Sequence, residues 1–123
     1  MNILVFAEVR DGKLKKSSLE TLSEAVRLSK PSGSKVGVAL VGEGIQAHAE
    51  ALGRHGASVV YAVDSPKLKL YAAEAYAKAV VEAHKKHGSG AIFMAATSMG
   101  RDLAGGVAAL LGTGVAADCT GVR

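Results

Sequence analysis

The sequence is poor in the residues that carry most thiol, metal and stacking chemistry: it has one cysteine, Cys119, no tryptophan, two phenylalanines and three tyrosines. One thiol excludes an intrachain disulfide and a metal site built on cysteines. A lone cysteine is expected to be a small buried residue rather than a nucleophile. So few rings leave little on which nucleic-acid bases could stack. The formal net charge of +4 does not change that reading, because the excess is scattered over Lys13, Lys15 and Lys16, over Lys67 and Lys69, and over Lys85 and Lys86. No nucleic-acid partner is expected. Long apolar runs are missing as well. The opening Ile3, Leu4, Val5, Phe6 and Ala7 meets Glu8 and Arg10 too soon for a secretory leader or a membrane span, so no membrane insertion and a cytoplasmic location are expected. No paired catalytic carboxylates, no serine or cysteine triad and no metal-ligand cluster stands out, and the chain does not read as an enzyme.

What the 123 residues do hold, at 49% apolar, is enough for one domain with its own core. Apolar runs bounded by turn residues recur at 2–8, 35–41, 57–63 and 91–96, with a short fifth at 115–117. Their nearly unbroken Val, Ile, Leu and Ala content is what strands covered on both faces require. Between them the spacing turns helical. A first helix starts at a Ser17 or Ser18 cap, shows Leu19, Leu22, Ala25 and Val26 on one face, and is ended by Pro31, Ser32 and Gly33. A second covers 45–55, with Ile45, Ala49 and Leu52 inward. The longest, 72–87, repeats Ala72, Ala75, Tyr76, Ala79, Val80 and Ala83, and carries Glu74, Lys78, Glu82 and Lys86 on its polar face. A fourth follows the run at 91–96, turns Leu103, Val107, Leu110 and Leu111 inward, and ends at Gly112 or Gly114.

Strict alternation of strand and helix predicts an α/β fold of three layers, α/β/α, around a mostly parallel open sheet of order 3-2-1-4-5. The switch point of such a sheet lies between its first and fourth strands, which places Glu8 close to residues 97–102.

That turn is the candidate site. Thr97, Ser98, Gly100, Arg101 and Asp102 combine a helix start, two hydroxyls, a glycine and a charged pair. A helix N-terminus has unpaired N–H groups and can hold an anion. The same residues also suit a plain cap, with Thr97 or Ser98 as the capping side chain, Gly100 allowing a tight bend and Asp102 complementing the helix dipole. Arg101 and Asp102 are expected to serve the turn and a domain or subunit contact rather than chemistry, with a local ion pair between them as the plainer reading. Gly42, Glu43 and Gly44 after the second strand form an incomplete dinucleotide pattern, without the third glycine and on the wrong strand. His84 and His87 lie three apart, but no carboxylate stands in matching register for a metal, and cations at a helix C-terminus are expected instead.

Several of these stretches carry a resemblance. The opening residues 2–8, the Gly12, Lys13, Leu14 turn, the helix start at Ser18, Leu19, Glu20, and above all residues 96–104 (ATSMGRDLA) and 111–118 (LGTGVAAD) resemble the amino-terminal domain of the alpha subunit of electron transfer flavoprotein. The likeness runs along essentially the whole chain in order, with residues 97–118 its specific part.

The resemblance implies an adenine-nucleotide-hydrolase-like fold and a heterodimer. That heterodimer takes electrons from flavin dehydrogenases, such as the acyl-CoA dehydrogenases of fatty acid beta-oxidation, and passes them to a quinone oxidoreductase and the respiratory chain. It implies FAD in the complete heterodimer, held mostly by a second, carboxyl-terminal domain, and none bound to this piece alone. By the same resemblance this domain is a scaffold and an interface for the beta subunit, and the chain is a fragment that stops inside the amino-terminal domain. Gly105 and Gly106 stand where the family usually has Pro and Arg, so a role of that Arg does not carry over, and the fourth helix is expected to begin near Arg101 or later. A rival reading remains open: the same sheet order serves AMP- or ATP-binding modules of the universal-stress type, in which Ala7, Glu8, residues 42–44 and residues 97–101 would cradle adenosine and phosphate.

Overall fold

The computed structural model describes residues 2–10, 12–95 and 97–111. In chain order the elements are β1 (Asn2–Ala7), the short strands β2 (Val9–Arg10) and β3 (Lys13–Leu14), α1 (Lys16–Ser29), β4 (Val36–Gly42), α2 (Gln46–Arg54), β5 (Val59–Asp64), α3 (Ala73–His87), β6 (Ser89–Phe93) and α4 (Ser98–Leu111). The long strands make a four-stranded sheet of order β5-β4-β1-β6, parallel throughout. This is the expected order for the strands at 57–63, 35–41, 2–8 and 91–96. The fifth strand expected at 115–117 lies outside the described residues.

Successive side chains of a strand point to opposite faces, and both faces here are apolar. Ile3, Val5, Ala7, Val36, Val38 and Leu40 meet Leu22 and Ala25 of α1 and Leu52 of α2. Leu4, Phe6, Ala39 and Val41 meet Tyr76 and Val80 of α3 and Leu103 and Val107 of α4. The result is three layers. Leu4, Leu22, Leu40, Leu52 and Leu103 are all fully buried, each stabilising the fold by about 1.5–3 kcal/mol relative to exposure. Among the described residues β5 and β6 are the outer strands; β5 exposes Val59 and Val63.

Several local expectations give way to tertiary constraints. Residues 9–10 and 13–14 pair as antiparallel β2 and β3, with Gly12 at φ 75°. Neither serine caps α1. The helix begins after Lys15 with no side-chain cap, while Ser18 Oγ accepts the backbone N–H of Glu8 at 2.7 Å. The strand expected at 91–96 starts early, at Ser89, because Gly88 in the left-handed region (φ 64°) closes α3 and turns the chain directly into the sheet. Met94 and Ala95 are buried beyond the strand's end, which is why the apolar run overshoots it.

The inward face of α3 is rotated from the expected one: Ala77 and Val81 are buried, while Ala72 and Ala75 are exposed. The cause is a second neighbour, α4, as well as the sheet. Helix α4 begins at Ser98, ahead of Arg101, and contains Gly105 and Gly106. A Cβ on Gly106 would lie 3.3 Å from Ala77 Cβ, so the missing side chain lets the two helices approach closely. Leu110, expected inside, is 50% exposed. Of the two Glu-to-Lys pairs expected on α3, Glu74–Lys78 closes at 3.1 Å.

His87 does not face solvent at the helix end. Its ring is buried against the amino ends of the strands, with Nε2 3.0 Å from the Ile3 carbonyl oxygen and Nδ1 3.2 Å from the Tyr61 hydroxyl. His84 turns away from it to Ser89 Oγ, at 2.6 Å from Nδ1. Gly37 makes room for the His87 ring, since a Cβ there would sit 2.9 Å from Cε1 and 3.0 Å from Nδ1. Gly37→Ala is therefore expected to destabilise the domain by about 1–3 kcal/mol through overpacking, read as a lower urea midpoint at unchanged m-value. The double variant Gly37→Ala, His87→Ala should cost less than the sum of its parts.

Candidate functional site

The crevice at the carboxyl ends of β1 and β6 is built around Glu8, the first residue after β1, which is 1% exposed. Its backbone is tied to α1, with the N–H donating to Ser18 Oγ and the carbonyl accepting from Lys15 N–H at 2.9 Å. Its side chain reaches α4, where Thr97 Oγ1 donates to Glu8 Oε1 at 2.7 Å. The same Thr97 hydroxyl accepts the Gly100 N–H at 2.9 Å, and the Thr97 carbonyl accepts from Arg101 N–H at 2.9 Å. Thr97 is thus the N-cap of α4 and at once a clasp between the carboxyl end of β1 and the start of α4. The expected nearness of Glu8 to residues 97–102 is met by a direct hydrogen bond.

Gly100 is required by space. A Cβ on it would stand 2.1 Å from the Ala95 carbonyl oxygen, a backbone atom that cannot move aside. Ser98 and Met99 line an adjoining cleft of about 450 Å³ together with Val9, Leu70, Tyr71 and Asp102. Arg101 is exposed. Asp102 accepts a hydrogen bond from the Tyr71 hydroxyl at 2.5 Å. Tyr71 leans edge-on against Tyr76, 5.0 Å between ring centroids, and Tyr76 in turn meets Phe6 at 6.5 Å and donates its hydroxyl to the Leu68 carbonyl at 2.6 Å. An aromatic chain therefore runs from the core to the cleft wall. Burial, followed by the hydrogen bond and charge of Asp102, pushes the Tyr71 hydroxyl well above the usual tyrosine range.

A second, smaller cleft of about 260 Å³ shares Val9, Leu70 and Tyr76 and reaches Gly42, Glu43 and Ile45. Here the turn after β4 presents two backbone N–H groups, and Asp64 at the end of β5 takes both: Gly44 N–H donates to Oδ1 at 2.9 Å and Ile45 N–H to Oδ2 at 3.1 Å. The start of α2 is thus filled by a carboxyl group of the protein itself. Among the described residues no group of three or more His, Cys, Asp or Glu is placed to hold a metal ion.

Of the candidates Thr97, Ser98, Gly100, Arg101 and Asp102, the structure puts Thr97 against Glu8 and Ser98 and Asp102 on the cleft wall. Sequence reasoning gave no role to Asp64 or Tyr71, and it read Ser18 as a helix cap rather than as the acceptor of the Glu8 N–H. For Asp64 a signal existed: an acid one residue past an apolar strand, beside a neighbouring strand that ends in Gly-x-Gly, is in register for those amides. Tyr71 and Ser18 act across long separations that no local pattern encodes.

Two outcomes follow from this geometry. Thr97→Val removes both the cap and the hydroxyl that donates to Glu8 Oε1, so a loss of about 1–3 kcal/mol is expected in denaturant unfolding, with Thr97→Ser close to wild type. Because the folded state holds the Tyr71 proton while the unfolded chain begins to release it near about pH 10, that contribution is whole below about pH 10 and is lost as pH climbs toward the raised folded value. Unfolding midpoints measured between about pH 9 and 12 should fall with pH, and Tyr71→Phe should flatten the fall.

Comparison with known proteins agrees with this architecture. Residues 3–123 match the family model described as the electron transfer flavoprotein domain. The chain is 43% identical over 121 residues to the electron transfer flavoprotein subunit alpha of Thermoanaerobacterium thermosaccharolyticum, a match covering 98% of this chain and 37% of that protein. It is 40% identical over 119 residues to the acryloyl-CoA reductase electron transfer subunit beta of Anaerotignum propionicum, covering 97% of this chain and 32% of that one. The chain thus spans about a third of the length of these relatives. Among solved structures, the universal stress protein from Archaeoglobus fulgidus superposes with a TM-score of 0.57 over 97% of both chains at 14% identity, a likeness of fold alone. With a family model matched from its third residue to its last and relatives named as alpha subunits aligned along nearly all of it, the chain belongs to the electron transfer flavoprotein family.

Proposed function

We propose that this chain is the amino-terminal, non-FAD domain of an electron transfer flavoprotein alpha subunit, a scaffold that seats the beta subunit while the flavin is held elsewhere in the complete heterodimer. The observation that carries the reading is the Thr97–Glu8 hydrogen bond. At the point of the sheet where such folds receive a ligand, an acidic side chain of the protein fills the crevice and the helix N-terminus is capped from within. Asp64 does the same at the turn after β4.

The described residues do not fit a flavin dinucleotide. Its pyrophosphate needs free backbone N–H groups at a glycine-rich turn, and here those of Gly44 and Ile45 are taken by a carboxyl group while Glu8 adds negative character beside α4. The same features argue against the universal-stress type of AMP or ATP binding. In the whole protein the flavin would take up and pass on the electrons, and the donors would be soluble flavin dehydrogenases, such as acyl-CoA dehydrogenases. The name of the Anaerotignum propionicum relative supports a partner among enzymes of acyl-CoA thioesters, and delivery to a quinone oxidoreductase is the onward step of the proposal.

The test is titration calorimetry with AMP, ATP and FAD, beside co-purification with the cognate beta subunit. No heat from the nucleotides and a stoichiometric complex with the beta subunit are expected. Micromolar binding of AMP would overturn the scaffold reading in favour of a nucleotide-binding module.

A further inference from the structure

The amino ends of the strands, opposite the crevice beside Glu8, have a cavity of their own, about 330 Å³ and lined by Asn2, Lys35, Ser58, Val59, Tyr61 and His87. His87, 8% exposed, is the most deeply buried of these side chains, and its partners fix where its proton sits. Nε2 faces the carbonyl oxygens of Ile3 at 3.0 Å and Lys35 at 3.4 Å; carbonyls only accept, so Nε2 carries a hydrogen. In the neutral ring Nδ1 is then an acceptor, and the Tyr61 hydroxyl, 3.2 Å away, donates to it. Asn2 is spent on the frame: its Nδ2 donates to the His87 carbonyl at 3.3 Å and its Oδ1 accepts the Lys35 N–H at 3.1 Å. The charge is one-sided. Among the described residues the lining holds Lys35 as a cation and no carboxylate. Around the ring, β1 brings Asn2 and Ile3, β5 brings Tyr61, and the residue ahead of β4 is Lys35. On the helix of His87 itself, His84 bonds Ser89 Oγ, while Lys85 and Lys86 are exposed.

We propose that this cavity is a proton-linked site for a small oxyanion, held by Lys35, Ser58 and Tyr61 and sensed by His87. For Tyr61 to donate to the anion, its hydroxyl hydrogen turns away from Nδ1. A proton from solvent then takes the Nδ1 position and is donated back to the Tyr61 oxygen, while Nε2–H keeps its carbonyls. The ring gains one proton and nothing else about its frame changes. A buried imidazolium is costly without a counter-charge; the anion supplies it, so ion and proton enter together. Histidine is the side chain suited to such linkage near neutral pH. A divalent cation fits less well, since it asks for carboxylate or carbonyl oxygens and would meet Lys35 instead. The site is independent of the scaffold reading, which concerns the opposite edge of the sheet.

The test titrates sodium sulfate into the full 123-residue chain in a calorimeter at about pH 7.5, where an ordinary histidine is neutral, with sodium chloride as the ionic-strength control. Repeating it in buffers of different ionisation enthalpy, none of them an oxyanion, counts the protons taken up. Saturable binding with uptake of about one proton, weakening about tenfold for each pH unit above about pH 7, is expected. NMR of the imidazole nitrogens should show His87 Nδ1 gaining a proton as sulfate is added. Tyr61→Phe should abolish that uptake and weaken binding about tenfold or more; Lys35→Gln should weaken binding with the uptake intact. Lys85→Gln, outside the lining, should change neither. A titration that does not saturate, an equal response to chloride, or wild-type binding in both cavity variants would overturn the site. Saturable binding that leaves Nδ1 without a proton would overturn the linkage and the role given to His87.

Discussion

The carboxyl group of Glu8, nearly out of reach of water, is the constraint on which the upper edge of this domain depends. Burying an acidic side chain costs free energy unless its oxygens find donors, and one donor to Glu8 is the hydroxyl that also caps α4. That shared hydroxyl couples the end of the first strand to the beginning of the last helix. Through its own backbone Glu8 also fixes the start of α1. Three elements, β1, α1 and α4, are therefore aligned by one residue, and the crevice between β1 and β6 is closed as a by-product.

The layers of the fold were legible because both faces of the sheet are buried. Unbroken apolar runs such as Val36 to Val41 have few other uses in a chain this short, and the alternation of strand and helix then leaves little freedom in topology. What failed to read was everything decided by a second neighbour. The face of α3 was taken from its spacing against one surface, yet the helix touches both the sheet and α4, so Ala77 and Val81 are buried in place of Ala72 and Ala75. The last strand was drawn too late because Met94 and Ala95 are buried without being paired. Burial and strand membership carry the same signature in a sequence.

At the site, the cap was legible and the contacts that tie it into the fold were not. A threonine three residues before a glycine at a helix start announces the Thr97–Gly100 bond. The Tyr71–Asp102 bond spans 31 positions, beyond any local pattern, and the Asp64 clasp, across 19 and 20 positions, is signalled only by the register of two neighbouring strands. His87 is the sharpest instance. A histidine at a helix end suggests a dipole partner, whereas here the absence of a side chain at Gly37 admits the ring into the interior. Only knowledge that those two residues face each other distinguishes the cases.

The outer strand β5 deserves a last thought for what it asks of the cell. Among the described residues it presents Val59 and Val63 along a row of backbone groups with no proline, lysine or bulge to blunt it, the very devices by which sheet proteins discourage stray pairing. A solitary copy would be adhesive toward any extended chain it met, and most of all toward its own kind. Such a strand is safest when synthesis, folding and docking follow one another quickly, so that the margin is shielded before it can recruit a stranger.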